Sequence, residues 1–178
     1  MLEGIIRESN GKKSAKALRR DGYLIANIYG KGLENISAAF KENEYIRAVR
    51  NKDTLAFAVK VDGKELNVVV QGYESQAVTG KLLHVDLMVA QAGVETKYFL
   101  PVQTVGTPVG LKNKGMLYVA KSRVGVKAAI ENLPNTLELN VEDLDLGDSI
   151  LVRDVASMNN VKFVDTDRVA ILSIIKAK

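Results

Sequence analysis

Over most of the chain the hydrophobic positions run or alternate in short segments instead of recurring at helical spacing. Residues 2–7, 24–29, 36–40, 55–61, 66–71, 73–79 and 82–89 are apolar stretches rich in Val, Ile, Leu and Tyr, bounded by Gly, Asn, Asp or Ser, the pattern of pleated strands. Asp62-Gly63, between two of these runs, tolerates the positive φ angles of a tight hairpin. Gly30-Lys31-Gly32 breaks one run from the next, and residues 8–13 form a polar loop. Two segments break the strand pattern. Ser14 is placed to cap a short helix over residues 15–20, closed by Gly22. Residues 43–52 put Tyr45, Ile46 and Val49 on one helical face and Arg47, Arg50 and Lys52 elsewhere. The first ninety residues therefore predict six or seven short strands and two helices, enough for a small barrel.

Gln91-Ala92-Gly93 reads as a linker, dividing the chain into residues 1–91 and 92–178. Beyond it the strand-like runs lengthen and helical periodicity nearly vanishes: residues 97–105, 116–130, 136–141, 149–152 and 169–175, with a loop over 106–115. Pro101, Pro108 and Pro134 all fall here. The second half predicts an all-β domain, so the fold class is mainly β with a few helices.

Composition narrows the function. The 178 residues are 47% hydrophobic but only 6% aromatic, without Trp, so the cores are aliphatic. There is no Cys, which excludes disulfides, thiolate metal sites and Cys nucleophiles. The first residues lack a signal layout, and no run approaches the ~20 apolar residues needed to span a bilayer, so a soluble cytoplasmic protein with no membrane partner is expected. The net charge of +4 is unevenly spread. Seven Lys/Arg stand against Glu8 and Asp21 between Arg7 and Lys31, whereas nine Asp/Glu stand against Arg153 and Lys162 between Glu131 and Asp167. A polyanion would select the basic head.

In that head, Arg7, Lys12, Lys13, Lys16, Arg19 and Arg20 gather around one loop and one short helix. Lys16, Arg19 and Arg20 stand at i, i+3 and i+4, so one helical face is cationic and suited to phosphate oxygens; the alternative is an ordinary solvated face. Tyr29 ends a strand before Gly30, where its ring either joins the core or meets a ribose or base. His84, the only histidine, shares a strand face with Asp86, opposite Leu83, Val85 and Leu87. Such a pair can hydrogen-bond base edges, the carboxylate accepting and the imidazole donating or accepting; a lone surface histidine is the alternative. Catalysis finds little support. One His cannot supply a histidine pair or a metal cluster, no Gly-x-Ser-x-Gly elbow is present, and Gly11-Lys12-Lys13-Ser14 lacks the earlier glycine of a phosphate loop, Ile6 standing in its place. No cofactor and no metal are expected.

These segments, in order, resemble the large-subunit ribosomal protein family number twenty-five, also called the general stress protein CTC family. The resemblance rests on Arg7, Gly11-Lys12, Ala17-Leu18-Arg19-Arg20-Asp21-Gly22, Ile28-Tyr29-Gly30, Val61-Asp62-Gly63-Lys64 and His84-Val85-Asp86. It continues through Pro101-Val102, Val105-Gly106-Thr107-Pro108-Val109-Gly110, Gly115 and Leu144-Asp145-Leu146-Gly147-Asp148-Ser149. It implies a six-stranded N-terminal β-barrel that docks on the loop E region of 5S rRNA, followed by an all-β C-terminal domain found in longer members. It places Arg7, Lys12, Arg19, Tyr29, His84 and Asp86 at RNA-contacting positions, with Lys13, Lys16 and Arg20 as further cations beside them. The implied partners are 5S rRNA, the large ribosomal subunit and neighbouring ribosomal proteins, with a monomer off the ribosome. The sequence departs from the family pattern at Ile25, where proline is usual, at Lys16 and Ala17 in the short helix, and at Glu74, where a contacting glutamine is common. A carboxylate at Glu74 repels phosphate, so Glu74 is left out of the expected site. Two other readings compete: a tRNA-binding module of the anticodon-binding-barrel type, and an RNA hydrolase using His84 and Asp86.

Overall fold

A computed structural model describes residues 2–9, 11–155 and 161–176. The chain forms two compact units, Met1–Ala92 and Gly93–Lys178.

The first unit runs β1 (Leu2–Ile6), α1 (Lys12–Arg20), β2 (Tyr23–Gly30), β3 (Leu33–Lys41), α2 (Glu42–Arg50), β4 (Phe57–Val61), β5 (Lys64–Ser75) and β6 (Leu82–Val89). Its six strands close into a barrel of order β1-β3-β2-β6-β5-β4. Neighbours pair antiparallel except β1 with β4 and β2 with β6, which pair parallel. Alternation along each strand sends one set of side chains inward. Leu24, Ala26 and Ile28 from β2, Ala38 and Phe40 from β3, Val59 and Val61 from β4, and Val85 and Leu87 from β6 fill the interior. Gly4 of β1 lies opposite Phe40, whose ring occupies the space a side chain there would need. The hairpin between β4 and β5 turns on Asp62 (φ 53°) and Gly63 (φ 74°), the two positive φ angles of a type I′ turn.

Three expectations change. Helix α1 begins at Lys12 with Gly11 as its N-cap and no capping side chain, so Ser14 lies inside the helix; Asn10, in the predicted loop, is outside the described residues. Helix α2 starts at Glu42 and ends at Arg50. The runs 66–71 and 73–79 are not separate strands: β5 continues through Gly72, with register shifts between Val70 and Gly72 and between Glu74 and Ser75. A bulge absorbs one extra residue without ending the ladder, and residues beyond Ser75 turn back through hydrogen bonds from Gly80 N to Gln76 O (2.8 Å) and from Gln76 N to Lys81 O (2.9 Å).

The second unit contains β7 (Thr96–Val105), β8 (Gly115–Val119), β9 (Arg123–Ala128), β10 (Leu137–Asn140), β11 (Ser149–Leu151), α3 (Val152–Val155), β12 (Lys162–Phe163) and β13 (Ala170–Lys176). They form a four-stranded sheet, β10-β7-β9-β12, and a three-stranded one, β11-β13-β8. Run 116–130 divides between the two sheets as β8 and β9, and Val152 opens a helical turn instead of ending a strand. Tyr98, Leu100, Val124 and Val126 of the larger sheet and Ile171, Leu172 and Ile174 of the smaller are fully buried. Among the described residues no helix is long and apolar enough to cross a membrane.

Candidate nucleic-acid interface

The inward set of β2 and β6 fixes what faces out. With Leu24, Ala26 and Ile28 in the core, Ile25, Asn27 and Tyr29 point outward; with Val85 and Leu87 in the core, His84 and Asp86 do the same. The parallel register sets Ile25 beside His84 and Asn27 beside Asp86. His84 Nδ1 lies 3.5 Å from Asp86 Oδ1, with the side chains 27% and 44% exposed, so the pair is accessible from outside the barrel. On the other flank β5 sets Glu74 opposite His84 and Gly72 opposite Asp86. An added Cβ at Gly72 would stand 3.5 Å from Asp86 Oδ2, so glycine leaves that side of the carboxylate open.

Tyr29 lies at the far end of β2, half-buried on this outer face. Burial pushes its hydroxyl pKa above the ordinary 10.0, and the nearby Asp86 carboxylate pushes the same way, so the group remains a protonated donor. Helix α1 rests on β2 with Ala15, Ala17 and Leu18 half-buried and no residue fully buried. Ile25 faces outward on the same strand yet is only 2% exposed. Arg19 ties this helix to β6: its Nε donates to the Leu83 carbonyl at 3.0 Å, one residue before His84. Lys81 adds a second tie, donating to the Arg19 carbonyl at 3.3 Å. Arg19 is thus largely a clip, whereas Lys12, Lys13, Lys16 and Arg20 are exposed and form no ion pair among the described residues.

Arg7 follows β1, and its backbone N–H donates to Ser37 O at 2.9 Å. Ser37 pairs with Asn27, Asn27 with Asp86, and Asp86 with Gly72, so one lateral band crosses five staves from Arg7 to Gly72. Arg7 Nε is buried and has no hydrogen-bond partner among the described residues, while its Nη2 donates to Ser9 O at 3.4 Å. The structure thus collects Tyr29, His84, Asp86 and Arg19 on one wall, sets Arg7 at the end of the same band, and places Lys12, Lys13, Lys16 and Arg20 on the helix clipped to it. Sequence reasoning missed Asn27 and Gly72. Asn27 is the one amide within the apolar run 24–29, and its odd position in the alternation was the available signal. Gly72 carried no signal beyond a break. No group of three or more His, Asp or Glu able to hold a metal occurs among the described residues.

Comparison with known proteins agrees over both units. Residues 2–87 match the Ribosomal L25p family, and residues 95–178 match the C-terminal domain of ribosomal protein TL5. Proteins called large ribosomal subunit protein bL25 are 66% identical in Sulfurimonas denitrificans, 64% in Campylobacter lari and 60% in Wolinella succinogenes, each over the full length of both chains. This is a family of ribosomal structural proteins and not of enzymes. With both units matched in order, the chain belongs to the Ribosomal L25p family, in its long form with a TL5-type C-terminal domain.

Proposed function

We propose that the protein is a structural component of the large ribosomal subunit and binds 5S rRNA through the outer wall formed by β2, β6 and β5 together with α1. The observation that carries this reading is the Arg19 clip at 3.0 Å, which joins a cationic helix to the strand bearing His84 and Asp86. Lys12, Lys13, Lys16 and Arg20 serve as phosphate contacts that set the register. Asp86 accepts from a base amino group or a ribose 2′-hydroxyl, while His84, Asn27 and the Tyr29 hydroxyl offer the complementary donors. A regular A-form helix exposes a wide, shallow minor groove, which suits short side chains on a sheet better than a probing helix. The Arg7 guanidinium, at the end of the same band, offers its outer N–H groups to phosphate. On this reading the protein is cytoplasmic and ribosome-associated, contacts neighbouring ribosomal proteins, and is a monomer away from the ribosome.

The test is 5S rRNA binding by the full chain carrying His84→Ala and Asp86→Ala. Losing a base-directed contact typically costs about 1–3 kcal/mol, so a weakening of roughly tenfold or more is expected for each. Unaltered affinity in the double variant would remove this wall from the interface. Competition by tRNA as effective as by 5S rRNA would change the target.

A further inference from the structure

The four-stranded sheet of the second unit carries a row of like charges that the barrel does not explain. In the antiparallel ladders Lys97 of β7 lies directly opposite Lys127 of β9, and Lys127 lies directly opposite Lys162 of β12. Directly opposed residues share a face. That face is the outer one, because Tyr98, Val124, Val126 and Ala128, the alternate positions, are buried. All three lysines are exposed. With neighbouring strands ~4.8 Å apart, three ammonium groups line up across about 10 Å of sheet. Opposed like charges destabilise a ladder, and Asp165, which acts on Lys97 but is itself held by Lys121 at 2.8 Å, offsets the row only at one end.

The surroundings fit an anionic chain. Gly125, between Lys127 and Arg123 on β9, keeps the middle of the face flat: an added Cβ would stand 3.5 Å from the Lys97 stem, 3.6 Å from the Phe99 ring and 3.6 Å from Val164. Lys97 Nζ sits 5.2 Å from the centre of the Phe99 ring, so an aromatic face lies within the cationic row. An open groove of about 480 Å³ begins at Lys127 and Lys162 and runs past Gly93, Ala129 and Asn132. Asp165 is held by Lys121 at 2.8 Å and also feels Lys97, and Glu95 lines the same groove as Lys127 and Lys162. Glu138, the acid on β10, pairs with Gln103, six positions along β7 from Lys97 and so about 20 Å away.

We propose that the outer face of β7, β9 and β12 is a second RNA-binding surface, which takes the phosphate backbone of a ribosomal RNA helix on Lys97, Lys127 and Lys162. RNA is favoured over an acidic protein segment because the cations form a line on a flat wall, matching the evenly repeated charge of a phosphate backbone. The proposal does not depend on the 5S assignment, since none of its residues belongs to the barrel.

The experiment uses the full chain and an RNA duplex of about 16 base pairs, unrelated in sequence to 5S rRNA, with affinity followed from about 50 to 200 mM salt. Lys97→Gln, Lys127→Gln and Lys162→Gln together are expected to lower the slope of log K against log salt by about 2 to 3, at ~0.9 per phosphate contact, and to weaken low-salt binding at least tenfold. Lys127→Arg with Lys162→Arg keeps the charges and is expected to bind like the parent, which separates charge loss from misfolding. His84→Ala with Asp86→Ala is expected to leave duplex binding by this face intact while lowering 5S affinity, so the two readings fail separately. Duplex binding by the triple variant with the parent's slope and affinity would overturn the proposal. Loss of poly-glutamate binding with duplex binding unchanged would overturn it too, and assign the face to an acidic protein.

Discussion

Single side chains decide how well the barrel wall receives an anion. Glu74 stands opposite His84 on the strand next to it, so on the proposed function the wall presents Asp86 as a reading carboxylate and Glu74 as one that only repels phosphate. Glu74→Gln removes a charge while keeping an amide that can donate. Rim charges are worth about 0.2–1 kcal/mol, so 5S affinity is expected to rise by a few-fold; equal or weaker binding in a titration would show that Glu74 faces away from the RNA. Asp165 gives a pH-dependent case in the second unit. The Lys121 ammonium, donating at 2.8 Å, holds its carboxyl below the ordinary 3.8, with further help from the Gly125 backbone and Lys97. A depressed folded pKa contributes stability that is complete above the unfolded value and fades as pH falls below about 4. Lys121→Met is therefore expected to cost about 0.2–1 kcal/mol at neutral pH and to flatten the acid limb of the unfolding curve below pH ~4. An acid limb unchanged by the substitution would remove Asp165 as its source.

Elements come next, and here glycine does unlike things in neighbouring strands. At Gly4 the Phe40 ring fills the site of any side chain, and Phe40 is fully buried. Gly4→Ala is expected to destabilise the barrel by about 1–3 kcal/mol, the usual range for an overpacked core, read as a lower denaturant midpoint for the first unit. A midpoint equal to the parent's would mean that the ring swings aside. At Gly72 an added side chain meets only ordinary contact with Asp86, so Gly72→Leu is expected to fold normally yet crowd the carboxylate and weaken 5S binding. The same contrast explains what the sequence revealed. Strand interiors were legible because alternation with an aliphatic core is a two-residue period that few other structures produce, and Asp62-Gly63 named its own turn. Helix α1 was placed three residues late because its N-cap is Gly11, which makes no side-chain cap, while Ser14 looked like one. β5 was split because glycine in sequence cannot distinguish a bulge from a stop. His84, Asp86 and the lysines could be named from the sequence, but their meeting depends on β2 pairing parallel with β6 across more than fifty residues, which no local pattern encodes.

At the scale of the whole molecule the charge asymmetry becomes a division of labour. The basic head lies largely on the helix clipped to the barrel, and the acidic stretch belongs entirely to the second unit, which carries its own lysine row on the outer face of its larger sheet. Gln91, Ala92 and Gly93 between them are all exposed, and Gly93 adopts a φ of 71°. Limited proteolysis is expected to cut here first and yield two stable fragments. Cleavage in the loop at residues 76–80 with residues 91–93 left intact would argue against a separable joint.

The staves also fix an order of events. The first and fourth strands of the barrel are neighbours, and so are the second and sixth. Joining staves so distant in sequence is the slow kind of folding, since loop-closure entropy comes before any contact rewards it. A chain emerging from the exit tunnel would display its cationic helix early, yet the imidazole and carboxylate that complete the wall lie on the last stave to arrive. On the proposed function, any copy truncated short of that stave would possess an adhesive surface without the means of discrimination, and the topology would reserve accurate docking for chains whose first unit has been synthesised to the end.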